Sequence, residues 1–143
     1  MNHLAHRRER IARIRSLEHR AATARTAIAQ AAVANLTRVS IRITALQSGL
    51  SATIGEANGQ SLKARSEMAA RLNAAQSGLS RSLQQALTVV ERRTAEQRAA
   101  HQRKDSAAKL HAQAVRTAEK EATLRADANR PFRKLKVHLG DAL

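Results

Sequence analysis

The chain has 143 residues, with 26 Lys and Arg against 11 Asp and Glu, a formal net charge of +15. Phe132 is its one aromatic residue, cysteine is absent, and alanine is the largest part of its 43 % hydrophobic content. Disulfides, thiol catalysis and Cys-based zinc sites are thereby excluded, and bulky side chains are too few for a wide globular core, so the buried layer should be a narrow helix–helix seam.

The amino terminus, Met1 to Arg8, is basic, but no apolar run of signal-peptide length follows it. No window approaches the roughly 20 apolar residues of a membrane-spanning helix. A first helix is expected over about residues 3–56. Its clearest stretch is Leu36, Val39, Ile43, Leu46 and Leu50, in alternating steps of three and four. Upstream, Leu4, Ile11, Ile14, Ala21 and Ile28 continue the stripe, with Arg7, Glu18 and Arg25 at the positions between. The step Ile28–Ala32–Leu36 is four plus four, a stutter that would locally unwind a supercoil. Asn58-Gly59 is the best turn signal, because both residue types tolerate a left-handed backbone.

A second helix is expected from about 61, with Ser61 as N-cap, to about 129. Met68, Leu72, Ala75 and Leu79 repeat the three–four alternation, followed by Leu83, Ala86 and Val90. Beyond residue 91 the stripe becomes Ala- and Gln-based. Pro131 ends the helix, and 131–143 reads as a flexible tail. Leu50 with Met68, Leu46 with Leu72, Val39 with Leu79 and Ile28 with Val90 all have numbers summing to 118, as two antiparallel helices in one register require. The fold expected is all-α: residues 1–130 as one long antiparallel coiled-coil hairpin with its turn near Asn58-Gly59. Its core is expected at Ile28, Leu36, Val39, Ile43, Leu46, Leu50, Met68, Leu72, Leu79 and Val90.

Such a hairpin is electrostatically polar. Residues 1–25 carry a net +5 and residues 91–136 a net +7, and both segments belong to the open end. Helix two also outruns helix one after Ala114, leaving a projecting single helix at the same end. The open end should therefore seek an acidic partner, and the turn end must be recognised by shape. Residues expected to make the acidic contact are Arg7, Arg8, Arg10, Arg13, Arg15, Arg116, Lys120 and Arg125.

No catalytic constellation is visible. His101 and His111 are ten residues apart on one helix and cannot share a metal, and His3, His6 and His111 are ringed by arginines that repel a cation. The isolated glycines Gly49, Gly55, Gly59, Gly78 and Gly140 form no phosphate-cradling loop. Acids read as surface partners in pairs such as Glu9–Arg13 and Glu121–Arg125. The expectation is a protein that is not an enzyme and has no cofactor or metal. Nucleic acid is the rival partner class: the basic residues could neutralise phosphates and give salt-sensitive, nonspecific binding, although no Tyr or Trp is present for base stacking.

Two blocks carry a family likeness. One runs from Gln60 to Leu72; the other begins at Val90-Glu91-Arg92-Arg93-Thr94-Ala95-Glu96-Gln97-Arg98 and resumes at Glu119 to Asp127. Together with the length and the hairpin pattern, they resemble the flagellar FliJ family of type III export proteins. The resemblance implies a non-enzymatic central stalk whose paired termini dock into, and stimulate, a hexameric export ATPase. It also implies a hairpin end facing the membrane export gate, an escort role towards export chaperones, and a cytoplasmic location peripheral to the inner membrane. That family often carries Tyr or Phe near the hairpin end, and this chain has none there, so gate-contact positions are not carried over.

Overall fold

The computed structural model describes residues 3–52 and 58–130. Two helices account for them: α1, His3–Ala52, and α2, Gly59–Ala128, packed on each other along their length. The architecture is an all-α coiled hairpin, as expected from the sequence.

The ends of α2 follow local chemistry. Asn58, not Ser61, is the N-cap: with an extended backbone (φ −80°, ψ 165°), its side chain accepts a hydrogen bond from the Ser61 N–H at 2.9 Å. Ser61 is already inside the helix, where its hydroxyl donates back to the Asn58 carbonyl at 2.9 Å. An Asn side chain satisfies an orphan N–H of the first turn, which is why Asn outcompetes a serine three residues later. Neither Asn58 nor Gly59 takes a left-handed conformation, since no described residue has a positive φ. The expected extension of α1 from Ala52 to residue 56 lies outside the described residues, as does the tail from 131. At the other end Asn129 caps α2, its N–H bonding the Arg125 carbonyl at 3.1 Å, two residues before Pro131.

The seam itself differs from expectation on α1. Beside half-buried Glu9 and Ser16, which flank it, the seam runs through the buried or half-buried Ala5, Arg8, Ala12, Arg15, His19, Ala22, Thr26, Ala29, Val33, Leu36, Ser40, Ile43, Gln47 and Leu50. These seam residues advance in unbroken alternation of three and four, with no stutter. On α2 the same alternation runs through Ala69, Leu72, Gln76, Leu79, Leu83, Ala86, Val90, Arg93, Gln97, Ala100, Lys104, Ala107, His111 and Ala114. Cross-helix pairs set the register. The Thr26 hydroxyl reaches the Arg93 carbonyl at 3.2 Å, Gln47 donates to Asn73 at 2.9 Å, and Gln76 donates to Ser40 at 3.2 Å. Facing seam positions then have numbers summing to 119, as Thr26 and Arg93 do. Leu36 meets Leu83, and Ala5 meets Ala114.

Leu36, Ile43, Leu50, Leu72, Leu79 and Val90 thus lie on the seam, all half-buried. Ile28, Val39, Leu46 and Met68 do not: they are exposed, Ile28 to 71 %. The physical reason is continuity. Joining the bulky upstream stripe to Leu36 requires the four-plus-four step, whereas the stripe through Ala22, Ala29 and Leu36 keeps one seven-residue repeat from end to end. Ser40 and Gln47, which replace Val39 and Leu46 in the seam, offset their polarity with the hydrogen bonds just named.

Candidate acidic-partner interface at the open end

With this register the hairpin divides near Thr26 and Arg93. The open half, residues 3–27 with 92–116, carries seven Arg on α1 against Glu9 and Glu18, and seven Lys or Arg on α2 against Glu96 and Asp105, a net +10. The turn half, residues 28–52 with 58–91, carries six Lys or Arg against Glu67 and Glu91, a net +4. Positive charge is therefore concentrated towards one end of a rod.

The expected contact residues do not form one patch. Arg7, Arg10 and Arg116 are exposed, and none has an acidic partner among the described residues. Arg13 is tied to Glu9 at 3.4 Å and Arg125 to Glu121 at 3.6 Å, the i,i+4 pairs legible in the sequence. Such exposed pairs contribute about 0.3–0.5 kcal/mol each. Arg8 and Arg15 take seam positions and are half-buried, and Arg15 bonds Glu18 at 2.7 Å. Arg116 and Lys120 flank a shallow surface groove with Glu119, Thr123 and Leu124.

Sequence reasoning missed the residues that join the first helix's arginines to the second helix. Arg8 and Arg15 share a groove with Arg103, over a floor of Ile11, Ala107 and Leu110. Arg103 and Lys104 form no ion pair among the described residues, although Lys104 faces Arg15 across the seam. Cations gathered along one groove raise the local positive potential and favour an anionic group there. The signal was present in the sequence: once α1 is rotated by one residue, Arg8 and Arg15 fall opposite His111 and Lys104.

The projecting end of α2 is less basic than its surroundings. Beyond Arg116, which lies opposite His3, the first described residue of α1, residues 117–128 of α2 run on for roughly 18 Å at 1.5 Å per residue. That segment holds Lys120 and Arg125 against Glu119, Glu121 and Asp127. The positive field comes from the paired section, not from the projection.

His19 and His101 rings approach to 5.2 Å across the seam, and His101 contacts Asp105 at 3.2 Å. Among the described residues no group of three His, Cys, Asp or Glu is placed to hold a metal ion, and no helix is long and apolar enough to cross a membrane. Arg93 and Arg92, hydrogen-bonded at 2.8 and 3.1 Å, hold the Glu96 carboxyl below its ordinary value. Comparison with protein-family models, with curated proteins and with solved structures finds no match to this chain.

Proposed function

We propose that this protein is a non-enzymatic stalk that inserts its open end into an acidic cavity of a larger assembly. The ring suggested by the family resemblance is a hexameric protein-export ATPase. The observation that supports this reading is the gradient of charge along a rod: +10 on the paired open half against +4 on the turn half. A rod with its charge at one end is steered end-on towards an acidic opening, and rim charges act mainly on the association rate. Once seated, a two-helix rod cannot contact six equivalent subunits equally. It lowers the energy of those subunit states that fit it and shifts the ring's equilibrium among them, which is how a protein without catalytic groups stimulates an ATPase. Contacts to an export gate and to export chaperones extend the same proposal and rest on the resemblance alone.

The test uses exposed positions, so that the fold is not disturbed. Arg7→Glu, Arg10→Glu and Arg116→Glu combined should abolish stimulation of the purified ATPase, and Lys63→Glu with Arg81→Glu should leave it within about twofold of wild type. Excess nonspecific DNA should not block stimulation. If the open-end variant stimulates normally while its DNA binding collapses, the protein is instead a basic nucleic-acid-associated coiled coil.

A further inference from the structure

The groove between the two helices of the open half alternates cations and apolar residues along its length. With facing numbers summing to 119, Leu110 stands level with position 9, Ala107 with Ala12 and Arg103 with Ser16. From Arg8 towards Arg15 the groove therefore presents one arginine, then Leu110, Ile11 and Ala107, then Arg15 and Arg103 together. The two cationic levels are seven residues apart on α1, roughly 10.5 Å at 1.5 Å per residue. Ile11 and Leu110, between them, are 36 % and 42 % exposed. No carboxylate lines the groove: Glu9, Glu18 and Asp105, the acids at these levels, lie outside the lining and engage Arg13, Arg15 and His101. Arg8 and Arg103 form no ion pair among the described residues. Arg15 meets Glu18 through one nitrogen and keeps further N–H donors in its fork.

We propose that this groove seats an acidic amphipathic α-helix of the partner, lying along the rod. Two of its carboxylates, seven residues apart, meet the two cationic levels, and apolar side chains between them cover the floor. The proposal deepens the stalk reading: it rests on that reading's acidic partner and names the element that is gripped. Spacing selects a helix. Same-face residues of a helix in a heptad seam recur every seven positions, which is the interval from Arg8 to Arg15. Same-face side chains of an extended strand recur at about 6.7 or about 13 Å, and neither fits roughly 10.5 Å.

Chemistry selects the acid. Arginine forks hold carboxylates through paired N–H bonds, and an apolar floor set between arginines calls for apolar groups on the same ligand. A nucleic-acid strand brings phosphates but nothing apolar for Ile11 and Leu110, and no aromatic side chain lines the groove for a base to stack on. A third helix laid in the groove also covers flanks that a two-helix layer leaves wet.

The test is titration of the full chain with a fluorescein-labelled helical peptide, read by anisotropy at physiological salt. The peptide carries two glutamates seven residues apart, with leucines three and four residues after the first, in an Ala- and Gln-rich background. A control peptide carries lysines in place of the glutamates. Wild type should bind the glutamate peptide saturably and the lysine peptide not at all. Ser106→Phe fills the floor between the cationic levels without changing any charge; its position is exposed, so helical circular dichroism should be kept and peptide binding lost. Arg103→Gln should weaken binding about fivefold, the scale of one partly exposed ion pair. Arg10→Gln with Arg20→Gln removes two exposed charges outside the lining and should stay within about twofold, because salt screens distant charges. A wild type that does not bind the glutamate peptide overturns the inference, as does a Ser106→Phe variant that binds it normally. Equal losses from Arg103→Gln and from the Arg10 and Arg20 pair also overturn it, since the field of the rod would then act without a site. So does a Ser106→Phe variant that loses duplex DNA and keeps the peptide, which would assign the groove to phosphate. ATPase stimulation is scored separately: peptide binding without stimulation removes the stalk and leaves the groove its acidic helix, and stimulation without peptide binding does the reverse.

Discussion

The open half and the turn half of this hairpin solve the same packing problem in opposite ways. Every buried residue among those described lies in or at the edge of the open half: Ala5, Ala22, Thr26, Ala29, Ala100 and Ala107. The turn half has the bulkier seam, with Leu36, Ile43, Leu50, Leu72, Leu79, Leu83 and Val90, yet each of these is only half-buried. Bulk and burial are therefore not the same quantity. Small side chains let two backbones approach closely, as the bond from the Thr26 hydroxyl to the Arg93 carbonyl demonstrates, and a closely approached seam is closed to water. Large side chains hold the helices apart, and a two-helix layer has no third element to cover their flanks. Each leucine still contributes more apolar contact than an alanine, so stability and tightness reside in different halves.

Substitutions that exchange the two strategies should break the comparison most strongly. Leu83→Ala removes half of the Leu36–Leu83 layer and should cost about 2 kcal/mol, the low end of the range for buried leucines because this one is partly wetted. Ala100→Leu forces bulk into the tight half and should cost about 1–3 kcal/mol by overpacking. Thermal denaturation measures both. The contrast would be lost if Ala100→Leu stabilised the protein, since that would mean the open half is loose rather than tight.

Thr26→Val tests the close approach itself. Valine keeps the shape and removes the hydroxyl, so the loss should be near 1 kcal/mol, with hydrogen exchange accelerated mainly in the open half. Uniform acceleration along both helices would show that the halves are not independent in stability.

The smallest effect should come from Glu96, at the boundary of the halves. Its carboxyl is held below the ordinary value by Arg93 and then Arg92, so the clamp stabilises the fold above the ordinary carboxylate range. That contribution fades as pH falls through this range and is gone below the depressed folded value. Glu96→Gln should therefore lower the melting temperature slightly at neutral pH and not at all in strong acid. A difference that persists in acid would assign the effect to packing.

Much of this was legible in the sequence, for identifiable reasons. Both helices, their antiparallel pairing, the stop before Pro131 and the Glu9–Arg13 and Glu121–Arg125 pairs follow from local rules, and all are found. The rotation of α1 was not legible, because α1 carries two apolar stripes one residue apart. The bulkier of them, with Ile28, Val39 and Leu46, attracts any argument based on side-chain size. What chose between the stripes was a non-local requirement: an unbroken repeat against the alanines of α2. The Arg8–Arg15–Arg103 groove was hidden for the same reason, since it forms only after that rotation.

The unbroken repeat also has a geometric consequence. A seam of 3.5 residues per turn on helices of 3.6 winds the pair left-handedly, with a pitch of roughly 150 Å. Between the level of Ile11 and that of Val39 the rod rises roughly 42 Å at 1.5 Å per residue, so a line drawn along one side of it swings through roughly 100°. The series Leu4, Ile11, Glu18, Arg25, Ala32, Val39 and Leu46, evenly spaced by seven in the sequence, follows a helical path in space. A flat surface can touch it along one short arc only; following it further requires a partner that coils with the same hand.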